Sequence, residues 1–342
     1  MNMNENPIER KSLYEELTIN PIPKISEELK KAFDNKKWKE IDIEEEVGPV
    51  PKKLEVIPNM PFSGKVMAWP AYYKFVKLGM ETEEMKKSGF GELSEMLKGE
   101  LQVSPLVKLR PEIKSILDKA QQLLDQDSST NHLQLVVVDG YRTLAVQKRL
   151  FDAYLKYLRV KTPDMDEEWL LNEAQKMVSI VPNEEVIKES PPPHSTGGST
   201  DTILVYKNKI DITNDYWLQS AMINFGAQFD EMMHPTHGGE RSETSYYEDK
   251  NEVDEEAKKN RRLLCNLLKK VGLLNYPHEF WHFDFGNQFH ALVSGKEKAT
   301  YGFAGGINNG LIIENFLAEE EAFRIYKETH SDADKVKSHF GL

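Results

Sequence analysis

Hydrophobic and polar positions along this chain follow two periods, which predict a mixture of helices and strands. Apolar residues recur at helical spacing from Glu112 to Leu124, from 164 to 178 and from Asp254 to Val271. The stretch from Leu133 to Val138 is nearly all apolar, which is typical of a strand buried on both faces. Thr200 to Tyr206 alternates and carries β-branched residues, which favours another strand.

Other stretches have less regular patterns, and their structure is predicted one segment at a time. Lys207 to Lys209 is predicted to be a turn, with the chain returning as a strand from Ile210 to Thr213. Residues 181–190 form a polar connection, and residues 312–335 are predicted to be a helix rich in Glu and Ala. Lys86 to Leu101 is helical in character but is interrupted by glycines. In the helix predicted for 164–178, the residues expected to face the core are Trp169, Leu170, Ala174 and Val178.

The first 60 residues mix charged side chains with prolines and include an acidic cluster, Asp42–Glu46. This composition predicts a solvated, partly irregular extension and not an independent domain. An aromatic segment follows, Met67–Phe75, which is expected to pack against the core.

The overall charge excludes one class of partner. The chain has 44 Lys and Arg against 56 Asp and Glu, a formal net charge of −12, which repels phosphate backbones and argues against a nucleic-acid partner. Cys265 is the single cysteine, so no intramolecular disulfide can form, and its place on a predicted amphipathic helix indicates core packing. The first residues have no secretory signal pattern, and no apolar run of about 18 residues predicts a membrane span. We therefore expect a cytoplasmic protein with no membrane partner.

Candidate chemistry begins at His194, in Ser190-Pro-Pro-Pro-His-Ser-Thr-Gly-Gly-Ser-Thr-Asp201. The three prolines fix φ and predict a stiff, extended arm that presents the His194 side chain. Gly197 and Gly198 permit a tight reversal that carries His194 back toward Asp201, which is predicted to point inward at a strand start. A buried carboxylate is costly unless it is paired or bound to a metal. A solvated loop that ends in a hairpin is an equally acceptable interpretation of this stretch alone.

A second stretch, Asn275–Gly286, favours the metal interpretation because it places aromatic residues around Glu279 and His282. Two imidazoles and a carboxylate are a common zinc ligand set that leaves one position for water, and a nearby carboxylate then takes the proton of that water. On a straight strand Glu279 and His282 would point to opposite faces. Either Glu279 lies just before the regular strand, or a bulge redirects it.

Four other histidines are weaker candidates. His234 and His237 have a spacing that suits a metal pair, but no carboxylate block completes it, so a loop is the preferred interpretation. His278 and His290 flank the second stretch and are at best outer partners of the ligands.

A positively charged side chain, Arg142, follows the end of the first buried strand. Asp139-Gly-Tyr-Arg142 follows that strand, and Thr143 is predicted to cap a helix that begins near Ala145. A strand-to-helix corner can aim a guanidinium into a cleft, where it stabilises an oxyanion. Because an arginine in a turn is more often a surface residue, the pattern alone does not assign Arg142 to a site.

Together these stretches resemble the zinc-dependent D-alanyl-D-alanine dipeptidases, peptidase family M15, of the Hedgehog/DD-peptidase fold. The resemblance rests on three blocks, Asp139–Arg142, His194–Asp201 and Glu279–Gly286. The similar region runs from about residue 101 to about residue 305. As a spaced set, the three blocks are highly specific.

The resemblance implies a role for each residue that matches a family motif. It implies that one zinc ion is held by His194, Asp201 and His282, and that Glu279 is the catalytic acid and base. It implies that Arg142 stabilises the transition state and that Asp230, in Phe229-Asp230, helps to hold the free amine of the substrate.

The resemblance also implies an α+β fold in which helices flank a central antiparallel sheet. The catalytic domain would be residues 101–342, with an N-terminal extension, residues 1–100, packed on it. Two departures concern the substrate range. Pro192 stands where some dipeptidases of the family carry a serine near the substrate amine. The connection from Asp201 to Asp230 is also longer than usual, with Asn214 to Ala221 as the added part.

The implied activity is hydrolysis of D-alanyl-D-alanine, or of small D,D-dipeptides, to free D-amino acids. Two alternatives stay open. A D,D- or L,D-carboxypeptidase of the same fold would act on cell-wall peptides and would tolerate a blocked N-terminus. A zinc-stabilised binding protein would keep the fold without the chemistry, although it would have no need of Glu279 and Arg142. The sequence does not fix the preferred dipeptide or the oligomeric state.

Overall fold

The structure is a computed structural model that describes residues 11–24, 26–70, 106–214, 217–227, 229, 242–248, 254–314, 324–325 and 334. Within these ranges the helices are α1 (Leu13–Ile19), α2 (Glu27–Asp34), α3 (Pro111–Gln126), α4 (Leu144–Lys161), α5 (Glu167–Met177), α6 (Glu184–Glu189), α7 (Trp217–Ala221), α8 (Glu255–Lys270) and α9 (Gln288–Ser294). The strands are β1 (Asp42–Ile43), β2 (Glu55–Val56), β3 (Met67–Ala68), β4 (Lys108–Leu109), β5 (Leu133–Asp139), β6 (Ser199–Tyr206), β7 (Leu274–Asn275), β8 (His282–Asp284), β9 (Lys298–Ala299), β10 (Gly306–Asn308) and β11 (Leu311–Ile313). Short 3-10 turns lie at Lys37–Glu40, Pro193–Thr196 and Lys207–Lys209.

A five-stranded sheet in the order β3-β5-β6-β8-β7 lies at the centre of the fold. The pairs β5–β6, β6–β8 and β8–β7 are antiparallel, as predicted, whereas the edge strand β3 runs parallel to β5. Parallel neighbours need a crossover connection, and α3 lies in the connection from β3 to β5. The sheet is therefore mixed and not wholly antiparallel.

Burial of both sheet faces explains the apolar sequence of β5, in which every residue from Leu133 to Val138 is buried. The helix α3 buries the face predicted from its spacing, which includes Ile113, Leu117, Ala120 and Leu124. Pro111 begins this helix at a position where its missing N–H has no helical partner to lose. The periodicity of these two segments was therefore sufficient to predict both elements.

The helix α8 confirms the prediction for residues 254–271 and for Cys265. Its buried face includes Leu263, Leu264, Leu267 and Leu268, and Cys265 is buried beside them. Burial raises the pKa of the Cys265 thiol to about 12, which makes the side chain an inert part of the core. Within the described residues no helix combines the length and the apolar composition needed to cross a membrane.

The structure differs from the prediction in two segments, one predicted as a strand and one as a polar connection. Residues 210–213 form a turn and not a strand, because the Asp211 carboxylate accepts hydrogen bonds from the Thr213 backbone at 3.1 Å and from its hydroxyl at 2.6 Å. Farther along the chain, Trp217–Ala221 form α7, where Trp217 packs edge-on against Trp69 with ring centroids 5.1 Å apart. Residues 184–189 are helical because the Asn183 side chain caps the Val186 backbone N–H at 3.0 Å.

The helices predicted for 164–178 and 312–335 have mixed outcomes. In α5, Leu170 and Ala174 are buried as predicted, but Trp169 is 37% exposed. Consecutive helical positions point about 100° apart, so the Trp169 side chain points away from the face that buries Leu170. Residues 311–313 form the strand β11 of a hairpin with β10, and most of the chain beyond residue 314 lies outside the described residues. The predicted segment 86–101 also lies outside them.

The N-terminal residues contribute more to the core than their composition predicts. The helix α1 packs on α8 and buries Leu13 and Leu17 in the main core. Ser12 and Glu15 form a reciprocal capping box that begins this helix. Met67–Ala68, from the aromatic segment, form the edge strand of the central sheet.

Glu248 joins α8 to these N-terminal residues. Its carboxylate accepts hydrogen bonds from the Arg262 guanidinium and, at 2.9 Å, from the Ile22 backbone, while Arg262 Nη1 donates to the Thr18 carbonyl at 3.1 Å. Burial alone would raise the pKa of Glu248, but the hydrogen bonds from Arg262 and Ile22 outweigh it and hold the pKa below its ordinary 4.5. The stabilisation is therefore complete above pH 4.5 and is lost as the pH falls through the lower pKa of the folded protein.

Replacing Glu248 by glutamine is expected to lower the free energy of unfolding by about 2 kcal/mol at pH 7, the usual contribution of hydrogen bonds to a charged group. Urea unfolding of wild type and variant at pH 7, 5 and 3 measures this difference. It should be smaller at pH 3, because below pH 4.5 the unfolded chain gains a proton on Glu248 more readily than the folded protein does. The exposed Glu255→Gln on the same helix is the matched control and should stay within about 0.5 kcal/mol of wild type. An equal difference at pH 7 and pH 3 would show that charge is not the cause.

Candidate metal centre

His194 is presented by the short 3-10 turn Pro193–Thr196. The predicted extended arm ends at Pro192, because the φ of Pro193 also suits the first position of a helical turn. Gly197 ends the turn in the left-handed region with φ +69°. A side chain on Gly198 would lie 2.5 Å from the Phe285 carbonyl oxygen. The reversal that carries the chain from His194 into β6 therefore needs a glycine at both positions.

The sheet brings Asp201 and His282 together. The antiparallel register of β6 and β8 pairs Asp201 directly with His282. Directly paired residues of adjacent strands project their side chains to the same face. Asp201 is buried, as its inward orientation predicts.

The three side chains converge on one point. His282 Nδ1 lies 3.1 Å from Asp201 Oδ1, and His194 Nε2 lies 3.5 Å from the same oxygen and 3.3 Å from His282 Nδ1. One donor atom from each residue lies within 4.8 Å of the others. His194, Asp201 and His282 are 5%, 1% and 5% exposed. Two buried imidazoles and a carboxylate are a donor set that suits zinc, and three protein ligands leave a fourth position open.

Each imidazole is also held on the ring nitrogen that faces away from the cluster. His194 Nδ1 lies 2.7 Å from the Gly140 carbonyl oxygen, to which it donates. His282 Nε2 lies 3.2 Å from the Asp284 carboxylate. Such partners fix the tautomer and the orientation of a ligating histidine, so that the opposite nitrogen can bind a metal.

Asp284 was not among the predicted site residues. Its carboxylate accepts hydrogen bonds from the Ser199 hydroxyl and the Asn287 amide, each at 2.6 Å, in addition to the one from His282. A signal for it was present in the sequence, because a residue two positions after His282 on the same strand points to the same face. Asp284 is 2% exposed and thus belongs to the buried surroundings of the cluster.

The charges of the cluster compensate one another. Burial alone would raise the pKa of Asp201, but the adjacent imidazoles, His194 foremost, hold it below its usual range. Burial would lower the pKa of His282, but the Asp284 and Asp201 carboxylates raise it well above its usual value. Two buried carboxylates on either side of one imidazole favour positive charge between them, and a divalent cation supplies such charge.

Glu279 lies in a turn just before β8, so the conflict with strand alternation does not arise. Its backbone N–H donates to the Tyr276 carbonyl at 3.0 Å, and the His282 N–H donates to the Glu279 carbonyl at 3.2 Å. The Asn275 side-chain amide donates to the carbonyls of Glu279 and His282 at 2.8 and 2.9 Å. This turn brings Glu279 Oε2 to 3.6 Å from His282 Nδ1, the nitrogen that faces Asp201.

Arg142 lies at the predicted strand-to-helix corner, next to Asp201. Thr143 caps α4 as predicted, since its hydroxyl accepts from the Val146 N–H at 3.2 Å. Arg142 Nε donates to Asp139 Oδ2 at 2.5 Å, and Nη2 donates to Asp201 Oδ2 at 3.1 Å. The guanidinium therefore bridges two carboxylates, one of which also faces the two imidazoles.

Other predicted site residues are not part of this geometry. Asp230, His234 and His237 lie outside the described residues. His278 Nδ1 lies 3.8 Å from Glu243 Oε1, and the His290 ring packs on a phenylalanine. Among the described residues, the group of donor atoms that is close enough to hold a metal consists of His194, Asp201 and His282.

Replacing Asp284 by asparagine is expected to weaken zinc binding by about 10–100-fold, the usual effect of losing an outer partner of a ligating histidine. Asparagine keeps the size of the side chain but removes the negative charge that faces His282 Nε2. Competition with a chromophoric chelator measures the zinc dissociation constant. Asp164→Asn, an exposed site of the same chemistry, is the control. Equal zinc affinity in the Asp284 variant and the wild type would contradict the role of this carboxylate.

Comparison with known proteins identifies the family of this chain. Residues 113–296, which are more than half of the chain, match the family model described as D-ala-D-ala dipeptidase. The chain is also similar to the D-alanyl-D-alanine dipeptidase of a Synechocystis species, with 28% identity over 204 residues that cover 55% of this chain and 72% of the relative. The residues described above, from Asp139 to Asn287, all lie within the matched range.

Proposed function

Because the chain belongs to the D-ala-D-ala dipeptidase family, peptidase family M15, we propose that it is a zinc peptidase that hydrolyses D-alanyl-D-alanine to free D-alanine. Membership of this family makes the chain a hydrolase, and zinc dependence is typical of the family. The observation that carries the proposal is the buried group of His194, Asp201 and His282, with the Glu279 carboxylate 3.6 Å from His282 Nδ1.

The donor set fits zinc. His194 would bind through Nε2, His282 through Nδ1 and Asp201 through Oδ1, because these atoms face one another and the other ring nitrogens already have partners. Zinc held in this way would lower the pKa of a bound water and polarise the scissile carbonyl. One zinc ion per chain is the expected stoichiometry.

Glu279 is the proposed acid and base. Its carboxylate takes the proton of the attacking water and returns it to the leaving amine, so that neither a free hydroxide nor an amide anion forms. The turn from Asn275 to His282 supports this role, because it holds the carboxylate beside a proposed ligand while the Asn275 amide fixes the backbone on both sides. Burial of Glu279, which is 8% exposed, limits competing exchange of the proton with bulk water.

Arg142 is the proposed stabiliser of the negative charge that develops on the carbonyl oxygen. Its guanidinium is held by Asp139 and Asp201, so its charge is already oriented before the substrate binds. Preorganised charge of this kind stabilises a transition state without reorganisation during the reaction. We also propose that Asp230 binds the free amine of the dipeptide, as the resemblance to the family implies.

We extend the proposal to the organisation of the chain. Residues 101–342 would form a catalytic domain with a Hedgehog/DD-peptidase-like core, and residues 1–100 would pack on it. Burial of Leu13, Leu17 and Met67 in the same core as β5 supports this arrangement. A small D,D-dipeptide is the proposed partner, and the net charge of −12 argues against a nucleic acid.

The test is release of D-alanine from D-alanyl-D-alanine by the purified protein, with bound zinc measured on the same sample. We expect turnover of the D,D-dipeptide, loss of turnover after dialysis against a chelator, and recovery on adding zinc. L-alanyl-L-alanine and N-acetyl-D-alanyl-D-alanine should not be cleaved. Cleavage of the acetylated peptide would favour a carboxypeptidase, and zinc binding without any turnover would favour a binding protein.

A further inference from the structure

The turn that carries His194 (residues 193–197, the His194 turn) is held from behind by Arg110. The Thr196 carbonyl accepts a hydrogen bond from Arg110 Nε at 2.7 Å. The Gly197 carbonyl accepts from the Arg110 backbone N–H at 3.2 Å. Two consecutive carbonyls of the turn thus depend on one residue, so a shift of Arg110 would move the backbone that presents His194.

Arg110 is in turn fixed by Glu45. The guanidinium is buried, and its Nη1 and Nη2 donate to Glu45 Oε1 and Oε2 at 3.0 and 2.6 Å. It also stacks on the Tyr301 ring, with 4.1 Å from Cζ to the ring centroid. A forked pair of this kind fixes the guanidinium plane as well as its position. A buried guanidinium that loses its carboxylate partner is strongly destabilised. The position of Arg110 therefore depends on Glu45.

Glu45 is placed by the N-terminal segment (residues 42–54). Residues 42–43 pair in parallel with residues 298–299, and the Glu44 N–H donates to the Ala299 carbonyl at 2.8 Å. The Gly302 N–H donates to Glu45 Oε2 at 3.0 Å, so the carboxylate is held by backbone as well as by Arg110. The Glu45 carboxylate is therefore held by the Gly302 N–H on one side and by the Arg110 guanidinium on the other.

The N-terminal segment also touches the His194 turn directly. A side-chain carbon added to Gly197 would lie 2.8 Å from Leu54 Cδ2, so this leucine closes the space behind the turn. Glu45 and Arg110 both lie outside the residues that match the family model, 113–296. Part of the support of the His194 turn is therefore supplied by residues of this chain beyond the matched range.

We infer that Glu45 is a positioning residue for the metal centre, acting through Arg110 on the His194 turn. This inference rests on the proposed function, because it takes His194 as a metal ligand. The N-terminal segment then contributes to the free energy of metal binding, although none of its residues is among the candidate ligands. Loss of the Glu45 charge loosens the turn, so His194 must be ordered when the metal binds, and affinity falls by the cost of that ordering.

The test compares Glu45→Gln with Glu46→Gln, an exposed neighbour of the same chemistry in the same segment. Glutamine keeps one hydrogen-bond acceptor but removes the charged fork. We expect the zinc dissociation constant, measured by chelator competition, to rise about tenfold in Glu45→Gln, at the low end of the effect of outer partners of a ligand. Glu46→Gln should match the wild type. Thermal unfolding of each variant confirms that the comparison is made on folded protein.

Hydrogen exchange supplies a second measurement that does not depend on metal or activity. In Glu45→Gln, the amides of Gly197 and Gly198, which bond to the His194 carbonyl and the Thr196 hydroxyl, should exchange faster. The amides of β5 should exchange at the wild-type rate, because a general loss of stability would accelerate them too. Glu45→Asp, which keeps the charge with a shorter reach, should restore part of the zinc affinity.

Each outcome decides between the alternatives. Zinc affinity within twofold of wild type in Glu45→Gln, or faster exchange in β5 to the same extent as in the His194 turn, would show that Glu45 only stabilises the fold. Arg110→Gln combined with Glu45→Gln should weaken zinc binding no more than Arg110→Gln alone, and additive losses would show that the two residues do not act as one unit. Failure of the wild type to bind zinc would instead contradict the proposed function, and this inference with it.

Discussion

Replacing Glu279 by glutamine is expected to reduce kcat for D-alanyl-D-alanine by about 10²–10⁴-fold, which is the usual contribution of a positioned acid and base. Glutamine has nearly the same size as glutamate but cannot take a proton from the attacking water. Zinc content should stay at the wild-type level, because the three donor atoms that face one another come from His194, Asp201 and His282. Steady-state kinetics and zinc analysis on the same preparation measure both quantities.

The control for this prediction is Glu255→Gln, which makes the same change at an exposed position on α8 and should leave kcat unchanged. Glu279→Asp gives an intermediate case, because the carboxylate remains but its reach is shorter by one methylene. Wild-type kcat in Glu279→Gln would contradict the proposed role. Loss of zinc together with loss of activity would also contradict it, since Glu279 would then act as a ligand.

The sequence predicted well those elements whose cause is local. The helix α3 follows from its apolar spacing, and β5 from its continuous apolar run. The Thr143 cap of α4 follows from residue type and position, because a hydroxyl before the first turn satisfies a helical N–H. In each case the information lies within about one element of the residue concerned.

The candidate centre was predictable in its members but not in its geometry. The motif blocks identify His194, Asp201 and His282, yet their approach depends on the register of β6 and β8, which is set by packing across the sheet. The position of Glu279 was left between two alternatives, and the Asn275 amide, which bonds the backbone on both sides of the turn, is what selects the first of them. Side-chain to backbone bonds of this kind have no periodic signature in a sequence.

The features that the sequence analysis mispredicted or missed also depend on side-chain contacts that have no periodic pattern. Residues 210–213 alternate like a strand, but the Asp211 carboxylate binds the backbone two residues later and forms a turn. The pair of Glu45 and Arg110 joins residues 65 positions apart, and nothing in either local pattern indicates it. Contacts over such separations form only when the chain is folded, so the local sequence pattern does not show which residues will pair.

Arg142 differs from the other proposed catalytic groups because it already has two anionic neighbours. Its Nε pairs with Asp139, and its Nη2 pairs with the Asp201 oxygen that does not face the imidazoles. A lysine at this position would keep the positive charge but could not hold the planar fork that spans both carboxylates. Replacing the arginine by lysine therefore tests the contribution of the guanidinium geometry while the positive charge is kept.

Arg142→Lys is expected to lower kcat by about 10²–10³-fold, the usual effect of losing one preorganised donor to a developing oxyanion. A phosphinate analogue of the dipeptide, which is tetrahedral and anionic where the carbonyl is attacked, should lose affinity by the same factor as kcat/KM. Binding of D-alanine, the product, should change far less. Arg149→Lys, exposed on α4, is the control and should leave every value unchanged. If the phosphinate and D-alanine lose affinity equally, Arg142 stabilises bound ligand in general and not the transition state.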